Sequence, residues 1–179
     1  SKGIELSGKT LGIIGFGRIG QEVAKKAIGL GMKVLAHDKF VKEAKIDINF
    51  FNGANVSFKI NTKDIKSVLS NSDFITLHLP KLDEKAIIGA EEIGLMKTGA
   101  GIINTSRGGV IDETALMFSL DKNKLAYAGL DVFDNEPNPS IKICMHNAIS
   151  LTPHIGAATL EAQERIGEEL AYQIIKYFN

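Results

Sequence analysis

The chain is poor in cysteine: Cys144 is the only one in 179 residues. A single thiol closes no internal disulfide and supplies no multi-cysteine zinc site, and such usage suits a reducing cytoplasm. Charge of one sign is lacking as well. Lys and Arg together number 21, and so do Asp and Glu. That balance leaves no basic field to draw nucleic acid or anionic lipid without a specific site. No apolar run approaches the roughly 20 residues that span a bilayer. No signal-peptide pattern opens the chain, and no Met does either. The opening Ser1-Lys2-Gly3-Ile4 reads as the middle of a sequence, so a longer parent protein is expected. Repeats, low-complexity tracts and Pro-rich linkers are absent too. With 44% hydrophobic and 23% charged residues, the composition is ordinary for a globular protein. The length suits one domain with a real core and is short for two.

Short apolar runs alternate with helical patterns. TLGIIG (10–15), KVLAHD (33–38), NVSFKI (55–60), DFITLHL (73–79), GIINTS (101–106), YAGLDVF (127–133) and AISLTP (148–153) predict strands. Several are apolar without alternation, as strands buried on both faces are. Helices are predicted over 18–30, 64–69, 90–97, 112–121 and 159–178. The first places Ile19, Val23, Ala27 and Leu30 at helical spacing, and the last does so with Ile166, Leu170, Ile174 and Tyr177. Strand–helix alternation of this kind implies an α/β fold, a doubly wound parallel sheet.

Gly15-Phe16-Gly17-Arg18-Ile19-Gly20 falls where the first strand gives way to the first helix. A lone G-x-G-x-x-G is weak evidence, and this context strengthens it. Gly15 allows the sharp turn, Gly17 lets a diphosphate approach the backbone, and Gly20 lets the helix pack on the strand. The N–H groups and positive dipole of the helix start face the anion. Asp38 ends the next strand, 18 residues beyond Gly20. A carboxylate there accepts hydrogen bonds from ribose hydroxyls and repels a 2′-phosphate, so NAD is favoured over NADP. Lys39 and Lys42 soften that repulsion.

Three further segments are INTSRGGVIDE (103–113), AGLDVFDNEP (128–137) and LTPHIGAAT (151–159). Together with GKTLGIIGFGRIG (8–20), in this order and spacing, they resemble the NAD-binding, Rossmann-type domain of the D-isomer-specific 2-hydroxyacid dehydrogenases. The resemblance runs over essentially the whole of residues 1–179. The tail AATLEAQERIGEELA is most similar to the D-3-phosphoglycerate dehydrogenase branch. Glyoxylate or hydroxypyruvate reductases and D-lactate dehydrogenases share the other motifs.

The resemblance implies an NAD-dependent oxidoreductase that moves hydride between C2 of a 2-hydroxy acid and nicotinamide. His154 matches the catalytic histidine, a base whose ordinary pKa suits neutral pH. Glu136 matches the carboxylate that fixes its tautomer. Arg107 matches the guanidinium that grips the substrate carboxylate through a planar fork. For the cofactor it implies Gly15, Gly17, Arg18, Ile19 and Gly20 at the diphosphate, Asp38 at the ribose and His78 lining the groove. Thr105 falls near the nicotinamide ribose, Asp131 at the carboxamide and Gly156 against the ring. His37 and His146 read as structural or exposed. No metal is implied.

Loop 80–89 lacks a Thr-Pro pair associated with the family and is expected at the surface. The stretch 138–147 is idiosyncratic and could alter the rim of the site. A flanking substrate-binding domain, absent from this sequence, is expected, and the domain alone should bind NAD without efficient turnover. A homodimer, a cytoplasmic location and a small 2-hydroxy or 2-keto acid partner are implied as well, with no nucleic acid and no membrane. Some proteins of this resemblance act instead as dinucleotide-gated transcriptional co-repressors that keep the same Arg, Glu and His, so an NAD(H)-sensing binding module is the alternative.

Overall fold

A computed structural model describes residues 3–80 and 85–178. Six strands form one parallel sheet: β1 (Thr10–Ile14), β2 (Lys33–His37), β5 (Phe74–Leu77), β6 (Ala100–Asn104), β7 (Leu125–Leu130) and β8 (Ile149–Leu151). Their order is β2-β1-β5-β6-β7-β8. The chain reverses direction across the sheet between β1 and β5, the switch point at which open α/β sheets bind ligands. Successive residues of a strand point to opposite faces. Ile13 accordingly joins the core beneath α1 (Arg18–Gly29), while Ile14 joins the core of the other face. That second core is larger. It is closed by α2 (Ile65–Asn71), α3 (Ala90–Leu95) and α4 (Glu113–Asp121), through Val68, Ile93 and Leu116 among others. Asp64 and Asp112 cap α2 and α4 by accepting from backbone N–H groups of the first turn.

Four features depart from the sequence expectation. First, residues 55–60 do form a strand, β4 (Asn55–Asn61), but it lies outside the parallel sheet. It pairs antiparallel with β3 (Glu43–Asn49), a segment for which the sequence suggested no element. The two read as an amphipathic ribbon: Ile46 faces Phe58 and Ala44 faces Ile60, and the turn passes through Gly53 at φ 84°. Ile46 is buried against the α1-side core. Second, α1 buries Gly20, Ala24 and Ala27, whereas Ile19 and Leu30 are 67% and 57% exposed. Small residues face the sheet because Gly20 brings the helix axis close to β1. Third, 138–147 contains a short helix, α5 (Ile141–Cys144). Fourth, α6 (Leu160–Phe178) forms as expected, yet none of its side chains is buried.

Loop 80–89 falls partly outside the described residues, at 81–84. Among the described residues no helix is long and apolar enough to cross a membrane.

Candidate active site and dinucleotide cleft

Parallel strands place all their C-terminal tips along one edge. The segments singled out in the sequence follow those tips.

At the tip of β1 the three glycines have separable roles. Gly15 has φ 95°, and a Cβ there would come within 2.4 Å of the His78 carbonyl oxygen. A Cβ on Gly20 would come within 2.2 Å of the Gly15 oxygen. A Cβ on Gly17 would meet nothing within 4 Å. Gly15 and Gly20 are therefore required by the fold, whereas Gly17 leaves open space at the start of α1. A dinucleotide diphosphate fits this cradle, held by the helix N–H groups. Ile19 and Arg18 flank it, both exposed, with Arg18 Nη1 3.5 Å from Glu169 of α6.

Asp38 follows β2. Its Oδ2 accepts from Phe16 N at 2.7 Å, and its Oδ1 accepts from Phe40 N and Val41 N at 2.8 and 2.9 Å. Burial pushes its pKa up, but the three N–H bonds and the neighbouring His37 outweigh it and hold the carboxyl below the usual range. Asp38 thus stays charged and locks the glycine loop to β2. The cavity beside it is lined by His37, Lys39, Lys42, Thr62, Lys63 and Asp64 as well. His78 follows β5, half-buried, with Nε2 3.1 Å from Thr76 Oγ1, and burial lowers its pKa. Its carbonyl oxygen is the atom that a Cβ on Gly15 would meet. His37 and His146 make structural contacts with Lys63 O and with Asp121 and Ala148 N.

Arg107, Glu136 and His154, the three residues implied for catalysis, follow the tips of β6, β7 and β8. After β6, the exposed Arg107 uses Nη1 to donate to the Ser106 carbonyl at 2.6 Å. A guanidinium has five N–H donors, so this bond uses one of them. Thr105 is exposed on the same turn. Asn104, which the sequence reading passed over, holds that turn. Its buried amide donates to the Arg107 carbonyl at 3.0 Å and accepts from Ser106 N and Oγ. Gly108 was passed over too: a Cβ there would lie 1.7 Å from the Phe133 oxygen.

Beyond β7, Glu136 Oε1 accepts from Phe133 N at 2.9 Å. Its Oε2 lies 2.7 Å from His154 Nδ1. The bond to His154 comes first among the causes that hold the Glu136 carboxyl below the usual range, followed by the Phe133 N–H. A cavity of about 360 Å³ adjoins the pair, walled by Phe133, Pro137, Pro139 and Leu151. The idiosyncratic stretch contributes Pro139 and Cys144 to this rim. The structure thus joins His154 to Glu136, as the sequence implied.

Asp131 and Gly156 meet across the tips of β7 and β8. Asp131 is 3% exposed, and its carboxylate is engaged by the segment after β8. Oδ1 accepts from Thr152 Oγ1 at 2.6 Å and from Ile155 N at 2.8 Å, and Oδ2 accepts from Gly156 N at 2.8 Å. A Cβ on Gly156 would lie 2.9 Å from Asp131 Oδ2. Close approach to Asp131, within the chain itself, already calls for glycine there.

Comparison with known proteins gives the family and the fold. Residues 1–156 match the D-isomer specific 2-hydroxyacid dehydrogenase, NAD binding domain. A hydroxypyruvate reductase of Thermotoga maritima is 44% identical over 179 residues, covering 98% of this chain and 55% of that protein. A D-3-phosphoglycerate dehydrogenase of Methanocaldococcus jannaschii is 43% identical over 176 residues, covering 98% of this chain and 32% of that protein. The crystal structure of a glyoxylate reductase from Paecilomyes thermophila superposes with a TM-score of 0.78 at 35% identity, over 93% of this chain and 48% of that one. The chain therefore spans about half, or less, of the length of these relatives.

Proposed function

Because the chain belongs to the D-isomer specific 2-hydroxyacid dehydrogenases, as their NAD-binding domain, we propose that it is the cofactor-holding and proton-transferring half of such an enzyme, with D-3-phosphoglycerate as the substrate. The observation that carries this reading is the 2.7 Å pair between His154 Nδ1 and Glu136 Oε2. With Nδ1 engaged, Nε2 is the ring nitrogen left to take the hydroxyl proton. Glu136 fixes that tautomer and stabilises the imidazolium once the proton arrives. Arg107 binds the substrate carboxylate with its unused donors and so fixes C2 in place. When bound, NAD supplies the hydride acceptor.

The branch-level resemblance of the tail and the phosphoglycerate dehydrogenase among the relatives support this substrate, and with it a role at the entry to serine biosynthesis. A second domain closing over the site, a homodimer and a cytoplasmic setting belong to the same reading. The relatives' greater length supports the first. The apolar row along α6 offers surface for the second, and sparing cysteine use suits the third.

The test is NADH formation by the full-length parent, with D-3-phosphoglycerate, D-lactate and glycerate offered beside a trap for the keto product. Strong preference for the phosphorylated acid supports the reading. Turnover of another acid alone keeps the mechanism and overturns the substrate. No turnover on any acid, with NADH still bound, moves the weight to a dinucleotide-sensing module.

A further inference from the structure

His154 has φ 55°, in the left-handed region that only a few per cent of residues with a Cβ occupy, with Asn, Asp and His the most frequent among them. A residue held there persists only when its surroundings over-determine it. The described neighbours show what does so. Every side-chain acceptor bond drawn by Asp131 goes to the segment that carries His154: to Thr152 Oγ1 before it, and to Ile155 N and Gly156 N after it. Asp131 in turn is fixed from behind, because its own N–H donates to the Asn104 carbonyl at the neighbouring strand tip. Its carboxylate is buried, so a missing partner would leave an unsatisfied charge.

We propose that Asp131 is a positioning residue for His154: it clamps residues 152–156 in the turn that aims Nδ1 at Glu136 and leaves Nε2 free. This rests on His154 being the proton-carrying group of the proposed function. It differs from the role implied by resemblance, in which this carboxylate serves the nicotinamide carboxamide. Asparagine keeps the size of the side chain but puts an amide donor where one carboxylate oxygen stood. With the amide opposite Gly156 N, two donors face each other. The turn then relaxes and the imidazole is no longer tied to Glu136.

The test is two-bond ¹H–¹⁵N NMR of the histidine rings in the chain, comparing wild type with Asp131→Asn and Thr152→Val. His37, His78 and His146 serve as internal references. In the wild type, the neutral His154 ring carries its proton on Nδ1. In Asp131→Asn, the ratio of the two neutral tautomers shifts at least threefold toward Nε2–H, and the reference rings do not move. Thr152→Val removes one of the three donors and gives a smaller shift of the same sign. If Asp131→Asn fails to fold, Thr152→Val decides alone, and no shift there overturns the proposal. An unchanged His154 tautomer with a lowered Tm would make Asp131 a brace of the fold only. An unchanged tautomer with weakened NADH binding would return the carboxylate to the cofactor. None of these readouts needs turnover, so failure of the enzymatic reading would be seen separately in the NADH-formation assay.

Discussion

Replacing Gly17 by alanine separates a phosphate cradle from a simple turn. The backbone there, φ −72° and ψ −163°, is open to any L-residue, and an added Cβ meets nothing within 4 Å. Removing glycine lowers the entropy of the unfolded chain, worth about 0.4–1 kcal/mol of stability. Gly17 also caps α1, where alanine is worse than glycine by several tenths of a kcal/mol. The two nearly cancel, so the folded chain should keep its Tm. The diphosphate is affected differently. Its oxygens must come within about 2.9 Å of the backbone N–H groups, in the space the new methyl occupies. Weakening one charge-assisted bond costs about 1.5–3 kcal/mol, or roughly 10- to 100-fold in Kd. Gly20→Ala is the mirror case. Its Cβ overlaps the Gly15 oxygen, and overpacking of this kind costs about 1–3 kcal/mol. The assay is NADH fluorescence titration beside thermal unfolding of both variants. Gly17→Ala binding NADH as tightly as wild type would refute the cradle. A large drop in its Tm would refute the claim that the space is free.

Arg107→Lys in the full-length parent should raise KM for the hydroxy acid about 10- to 100-fold, as a bidentate contact becomes a single one; NADH affinity, measured by titration, should not move. Asp38→Asn should weaken NADH and strengthen NADPH in paired titrations, because Lys39, Lys42 and Lys63 line the same cavity. Glu136 and Asp131 both have carboxyls held below the usual range. Burial raises that of Asp131, but its three hydrogen bonds and the charge of His154 outweigh it. A depressed folded pKa adds stability that is present above the unfolded value of about 4 and is lost as pH falls through the folded value. Tm of wild type should therefore fall more steeply than that of Glu136→Gln below about pH 4, read by scanning at successive pH. Asn104→Ala strips three hydrogen bonds from the Arg107 turn and should cost about 1–3 kcal/mol in urea unfolding.

What could be read in the sequence followed from local rules. The apolar strands and the glycine turn depend on residues close together in the chain, and they stand where the pattern put them. The β3–β4 ribbon was half hidden although Glu43–Asn49 alternates polar and apolar residues strictly, because the apolar side chains are few and only pairing across the turn at Gly53 gives them a common face. The buried stripe of α1 was misjudged for a tertiary reason. Large apolar residues such as Ile19 advertise a core face, yet the helix approaches β1 so closely that its fully buried positions are Gly20, Ala24 and Ala27, while Val23 and Ile28 pack at the edge of that core. In the site, His154, Glu136 and Arg107 could be named from motifs. Asn104 could not, since an Asn ending a strand looks like any turn residue until its amide is seen to hold the Arg107 turn. The service Asp131 gives to 152–156 was equally hidden, because it spans more than twenty residues of chain and two strand tips.

The sheet also works as a ruler. The glycine loop leaves β1, and the Glu136–His154 pair follows β7 and β8. Two strands, β5 and β6, stand between β1 and β7. At about 4.8 Å per step, that separation is roughly 14 Å. A ligand must be long enough to be anchored at one tip and present a reactive ring at the other. A mononucleotide reaches only one end of this span. Preference for a whole dinucleotide is thus set by strand count, and no single contact residue has to encode it.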